Sequence, residues 1–153
     1  MNEKLHHATI HLEHFYPAPV ERVFAEFADP VARARWSAPS GDDVLLYDEA
    51  DFREGGHDVF RCGPRDDPKF RGETSYLLII PNQLVVSSEV LSTASQRLAI
   101  ALTTLEFESI DTGTYLKMTV QLISFVGPGM VAGYENGNRS ALENLVRHLS
   151  RLS

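Results

Sequence analysis

The sequence predicts an α+β fold: a curved antiparallel sheet of six to seven strands wrapped around one long C-terminal helix, with two short helices after the first strand. Three observations predict it. Residues 44–123 read as β almost throughout, broken only by short turns, and strands joined by short turns are antiparallel neighbours. The C-terminal segment instead repeats apolar residues at spacings of three and four, the mark of an amphipathic helix. One such helix is too narrow to cover a flat sheet of this size. The sheet must therefore curve, and a curved sheet leaves an apolar gap in front of the helix.

The elements follow in order. "HATIHLEHFY" alternates, with Ile10 and Leu12 on one face. "PAPVERVFAEFADP" changes period, and Val20, Val23, Phe24 and Phe27 recur at helical spacing. Pro19 suits the first helical turn, where its missing N–H costs nothing. Asp29-Pro30 ends that helix, because the residue before proline is pushed out of helical geometry. "PVARARW" makes a second short helix ending near Trp36, and "SAPSGDD" a loop. Strands are expected over "DVLLYDEADF", "HDVFRC" and "FRGETSYLLII", the last stopped by Pro81-Asn82. "QLVVSSEVL" puts Leu84, Val86, Ser88 and Val90 on one face. "RLAIALTTLEFE" puts Leu98, Ile100 and Leu102 on one face and Leu105 and Phe107 on the other, which predicts a β-bulge near Thr103-Thr104. Asp111-Thr112-Gly113 is a hairpin turn. "YLKMTVQLI" buries Leu116, Met118, Val120 and Leu122. The last helix carries Tyr134, Asn138, Ala141, Leu142, Leu145, Leu149 and Leu152 on one stripe. Glu135, Arg139, Glu143, Asn144, Arg147 and Arg151 lie on the other.

Composition narrows the function classes. The 153 residues suit one domain, taken as 1–153. The formal net charge is −7 and the 14 Lys and Arg form no run, which argues against a nucleic-acid partner. No segment is long and apolar enough for a membrane span or a signal peptide, so a cytoplasmic protein is expected. The single cysteine excludes an internal disulfide and a thiolate zinc cage. His7 and His11 share a strand face but stand about 13 Å apart, too far for one ion. No metal and no cofactor are expected.

The stretch "DFREGGHDVFRCG" invites a catalytic reading, with His57 as base and Cys62 as nucleophile. Five residues apart on a strand, they point to opposite faces and lie about 16 Å apart, so they form no dyad. Cys62 shares a face with Phe60 and reads as a small buried hydrophobe; His57 reads as a rim or surface residue. Gly55-Gly56 marks the turn.

The element order is similar to the helix-grip fold of the START-like (SRPBCC) superfamily. Specific motifs sharpen this. "YPAPVERVFAEFADP…RW", "DFREGG", "GETSYLLIIPNQLV" and "TTLEFESIDTGTYLKMT" together resemble the family of the activator of heat-shock protein 90 ATPase, in its C-terminal-domain form. Gly137-Asn138 stands where that family often has Gly-Trp, and Val120 where one branch carries an acidic residue. The resemblance implies a single-domain homologue that holds a small, largely apolar molecule between the sheet and the last helix. By facing, Trp36, Phe60, Tyr76, Ser88, Leu102, Tyr134 and Asn138 would line that cavity. Trp36 is expected near its mouth, either as a core or lid residue or as a contact to the ligand. Asn138 either bonds to sheet backbone or trapped water, or anchors the ligand.

Two other classes remain. One is a small cyclase or dehydratase of the same fold. It needs a positioned acid or base, for which Glu89, His57 and the tyrosines offer no evident partner in the sequence; a binding protein is therefore favoured over an enzyme. The other is a chaperone-interaction module. A second copy of the chain, giving a homodimer, is a partner the sequence leaves open.

Overall fold

The computed structural model describes residues 4–38 and 42–151, and of Arg151 only the backbone. The central part of the Ser37–Asp43 loop and Leu152 lie outside the described residues. The chain runs β1 (His6–Tyr16), α1 (Val20–Ala28), α2 (Pro30–Ser37), β2 (Asp43–Glu49), β3 (His57–Pro64), β4 (Phe70–Ile80), β5 (Leu84–Ser92), β6 (Arg97–Ile110), β7 (Gly113–Ser124) and α3 (Pro128–Arg151). The element order is the one the sequence predicts. The strands form one antiparallel sheet in the order β1-β7-β6-β5-β4-β3-β2. β1 and β2 are thus the two edges, and α1 with α2 carries the chain from one to the other. This is the helix-grip arrangement.

Local chemistry fixes the junctions. Pro19 stands at the cap of α1 and not within its first turn, and its carbonyl accepts from Arg22 N and Val23 N. The Asp29 side chain accepts from Val31 N at 3.0 Å, so the residue that ends α1 also caps α2. Asp111 takes φ 55° in the two-residue turn between β6 and β7. Gly113 is needed for another reason: a Cβ there would sit 2.3 Å from Phe15 Cζ.

The core lies against β1, β7 and β6. Tyr16, Leu116, Val120 and Leu122 are fully buried there, and Leu142, Leu145 and Leu149 of α3 cover them. Tyr16 Oη donates to the carbonyl of Leu142 at 2.9 Å, tying the first strand to the last helix. Phe24 and Phe27 of α1 meet Phe107 edge-on.

The sheet departs from the sequence reading in three places. No bulge falls at Thr103-Thr104, which keep register with Ser87 and Val86 on one side and Val120 and Thr119 on the other. The inward set on β6 is Ala99, Ala101, Leu105 and Phe107, at one unbroken parity; Ile100 and Leu102 face outward. Alanine fills an inward position as well as leucine where the facing surface comes close. The irregularity lies at the start of β6, where Leu91 pairs with Ala99 and Ser92 with Arg97, so Leu98 is also buried. A second shift lies in β4, where Tyr76 pairs with Ser87 but Leu78 with Val86. Leu77 is the extra residue, 53% exposed, which explains how "YLLII" can be apolar on both faces. Finally, β2 stops at Glu49, and Phe52 packs beyond it on Phe24 and Tyr76.

Candidate functional site

The inner surface is not uniformly filled. Around β1, β7 and β6 most of its residues are buried, with Ala8, His14 and Thr103 half-buried. On β3, β4 and β5 the inward residues Cys62, Phe70, Thr74, Ser87, Glu89 and Leu91 are only half-buried. The helix changes in step. From Pro128 to Ser140, α3 has no buried residue; Ala141, Leu142, Leu145 and Leu149 are all buried. Half-exposed sheet faces the half-exposed start of α3, with Tyr134 reaching across it to Glu89. This cleft is the candidate site.

Glu89 is its central polar group. Strand parity aims it inward beside Val85 and Ser87, cross-strand from Thr74 and Ala101. Tyr134 Oη donates to Glu89 Oε2, and Thr74 Oγ1 donates to Oε1 at 3.4 Å. Burial pushes the Glu89 carboxyl above the usual carboxylate range, the two hydroxyls hold it down less strongly, and Asp58 adds to the rise. The Tyr134 phenol is pushed well up, first by burial and then by Glu89. The Cys62 thiol stands in the same field: burial, then Glu89 and Asp43, push it up to about 11. A thiol with so little thiolate at neutral pH is a poor nucleophile.

A second polar group lies behind the cleft. Arg33 of α2 is buried and donates from Nη2 to Asp58 Oδ2 at 3.0 Å. Its Nη1 donates to Tyr76 Oη at 2.6 Å and to the carbonyl of Phe27 at 2.9 Å. Tyr76 Oη donates in turn to Asp58 Oδ2, and Asp51 N donates to Oδ1 at 3.1 Å. The Tyr47 ring covers the guanidinium at 4.7 Å. Burial raises the Tyr47 phenol to about 12, although Arg33 opposes the shift. The network is nearly closed upon itself; Arg33 Nε is its buried donor with no acceptor among the described residues. It joins α2 to β3 and β4 and holds the wall of the cleft in place.

The predicted cavity residues divide. Phe60, Tyr76 and Tyr134 face inward. Phe60 lies flat over Gly72, where a Cβ would come 2.0 Å from its ring. Trp36 is inward too and takes the core position among its alternatives: 4% exposed, edge-on to Phe27, with Nε1 meeting no acceptor among the described residues. Asn138 donates to the carbonyl of Tyr134 at 3.0 Å, within its own helix, and among the described residues it makes no hydrogen bond to the sheet. Ser88 and Leu102 are corrected: they pair with each other and face outward, Leu102 being 37% exposed. They line an open groove of about 550 Å³ on the outer face with His7, Thr9, Ile100 and Gln121. A second outer groove, of about 530 Å³, runs past Asp48, His57 and Glu73. Asn144, assigned to the solvent face of α3, donates to the carbonyl of Trp36 at 3.2 Å and ties α2 to α3.

His57 is exposed and lies 3.2 Å from Glu49, on the face opposite Cys62. Gly55 takes φ 82°, and a Cβ on Gly56 would meet the Asp51 carbonyl at 2.3 Å. The stretch from Asp51 is thus a turn and a strand whose chemical residues are Asp58 and Cys62. Among the described residues no group of three or more His, Cys, Asp or Glu is placed to hold a metal ion. Sequence reading missed Arg33 and Asp58. The available signal was Asp58 at the inward parity of Phe60 and Cys62, a charge at a position that must be buried.

A curved sheet gripping a terminal helix, with a half-open cleft beside it, defines a START-like protein. Residues 17–150 match the family described as activator of Hsp90 ATPase homolog 1-like protein, and the chain belongs to that family. Its structure is similar to that of the Mll3558 protein from Rhizobium loti, with 32% identity and a TM-score of 0.83 over 95% of this chain and 99% of that one. A protein from Rhizobium leguminosarum is 28% identical, with a TM-score of 0.83 over 97% of each chain. The CV1439 protein from Chromobacterium violaceum is 26% identical, with a TM-score of 0.79 over 91% of this chain and 94% of that one. No curated protein matches the sequence. No helix among the described residues is long and apolar enough to cross a membrane.

Proposed function

We propose that this protein binds a small, largely apolar molecule in the cleft between β3–β5 and the first half of α3. One observation carries the reading: half-buried residues gather on β3–β5 and on the facing first half of α3, while most of the rest of the interior is buried. Leu91, Met130 and Val131 supply apolar wall at the edge of the core, and Glu89 with Tyr134 supplies a polar pole. Apolar walls with a few convergent polar groups are the usual composition of a ligand site. Native mass spectrometry of purified protein, before and after organic extraction, tests it beside titration with Nile red, a neutral apolar dye. The reading expects a copurifying mass lost on extraction, or saturable dye binding weakened by Leu91→Asp. Absence of both sinks it.

A second reading, an enzyme of the same fold, gains from the hydroxyl partners that Glu89 has in the structure. It expects a cleft-bound compound to be converted on incubation; a compound recovered unchanged favours simple binding.

A further inference from the structure

We propose, building on the ligand-binding reading, that Glu89 selects the ligand's chemical class: an apolar amine whose protonated nitrogen meets the Glu89 carboxylate. The charges around the cleft are the reason. Two acids face inward there, and they are not equivalent. Asp58 has Arg33 against it at 3.0 Å, the backbone N–H of Asp51 and the phenol of Tyr76. Glu89 has only the neutral hydroxyls of Tyr134 and Thr74, the second at a long 3.4 Å. The charge that acts on it is another acid, Asp58, and no cation among the described residues offsets it.

A carboxylate offers roughly four lone-pair positions. Two are met here, both by uncharged hydroxyls, which bring hydrogen bonds but no opposite charge to the carboxylate. A partly desolvated carboxylate held this way costs stability unless something pairs with it. The described residues within reach do not. A ligand ammonium does, and it also relieves the repulsion from Asp58. An alcohol brings only one more neutral hydrogen bond. A fatty carboxylate or a phosphate meets the unpaired charge of Glu89 and is rejected. Leu91, Met130 and Val131 receive the apolar part.

The test displaces Nile red with octylamine, octanol and octanoate at neutral pH, on the wild-type chain, on Glu89→Gln and on Glu106→Gln. Glu106 is an exposed carboxylate and serves as control. The proposal expects octylamine to bind about tenfold or more tightly than octanol, because only the amine brings an opposite charge to the carboxylate, and octanoate to bind worst. Glu89→Gln should bring octylamine down to about the affinity of octanol, a larger change than it makes to octanol or the dye; Glu106→Gln should alter none of them. Equal binding of the three compounds, or a preference for amine that survives Glu89→Gln, overturns the selection by Glu89 and leaves ligand binding standing. No binding of dye or of any compound overturns both.

Discussion

The two halves of α3 are built from different material. Residues 128–140 read "PGMVAGYENGNRS", with Gly129, Gly133 and Gly137 on one face; residues 141–151 read "ALENLVRHLSR", without a glycine. Each glycine inside a helix costs about 0.8–1 kcal/mol against alanine. The C-terminal half recovers its stability by burying Leu142, Leu145 and Leu149 under the sheet, and by the bonds that Tyr16 and Asn144 make. The N-terminal half buries nothing fully and spans the cleft. One end of the helix is therefore a structural member and the other a wall of the proposed site. The strands divide in the same way, β1, β7 and β6 against β5, β4 and β3.

The sharpest exception to that division lies on β3. Asp58 belongs to the open half, yet it is 2% exposed and paired with Arg33. Asp58→Ala strands a buried guanidinium, and breaking such a pair costs about 3–5 kcal/mol. Denaturant unfolding should show a loss of that size. A loss under about 1 kcal/mol would mean that the pair is solvated and does not hold the cleft wall to α2.

A matched pair of truncations tests the division along α3 itself. Leu145 is 0% exposed, and Leu145→Ala should cost about 2–5 kcal/mol. Met130 is only half-buried, and Met130→Ala should cost under about 1 kcal/mol, because a partly exposed side chain loses less transfer energy and leaves no closed cavity. Similar losses at the two positions would refute the contrast between the halves.

This division explains what could be read from the sequence. Element order, the burial of Leu116 through Leu122 and the surface position of His57 follow from period and parity, which are local. So does the separation of His57 from Cys62. Parity failed at β6, where hydrophobic size suggested Ile100 and Leu102 and the sheet buried Ala99 and Ala101 instead. Ser88 went with them, because its facing was inferred from the same size rule. Reversing the parity of β5 brings Glu89 inward, and this one change turns an acid without a partner into the polar centre of the cleft. The Arg33–Asp58 pair joins residues 25 positions apart in different elements. No local pattern encodes that meeting; only a charge at an inward strand position hinted at it.

The open half makes a prediction of opposite sign. Burial raises the Glu89 carboxyl in the fold above its unfolded value. The folded state therefore favours the protonated form. Its contribution is fully present below the unfolded pKa and is lost as pH rises through the raised value. Glu89→Gln removes the charged form and keeps one oxygen to accept from Tyr134, while the Thr74 hydroxyl turns to accept from the new amide N–H. The variant should be more stable than wild type at neutral pH, with the gain shrinking as pH falls toward the ordinary carboxylate range. Thermal melts across that range check the sign; a variant less stable at neutral pH would show that the two hydroxyl bonds outweigh burial.

The smallest effect belongs to the glycines. Gly133 lies inside α3, its φ is not positive, and a Cβ built on it meets nothing within 4 Å. Gly133→Ala then has no clash to offset its gain, which is about 0.5–1 kcal/mol from reduced freedom of the unfolded chain and better helix propensity. For a chain of this size that is a rise in Tm of about 1–4 °C. Nothing in packing requires glycine at this position, so the weak helix is a property of the cleft wall and not of the core. Stiffening that wall should slow the exchange of Nile red more than it changes the dye's affinity, which stopped-flow mixing measures directly. A higher Tm with unchanged exchange rates would show that the wall does not move when the cleft fills. An unchanged Tm would show that α3 is held by Tyr134 and Glu89 firmly enough for its glycines to be of no consequence.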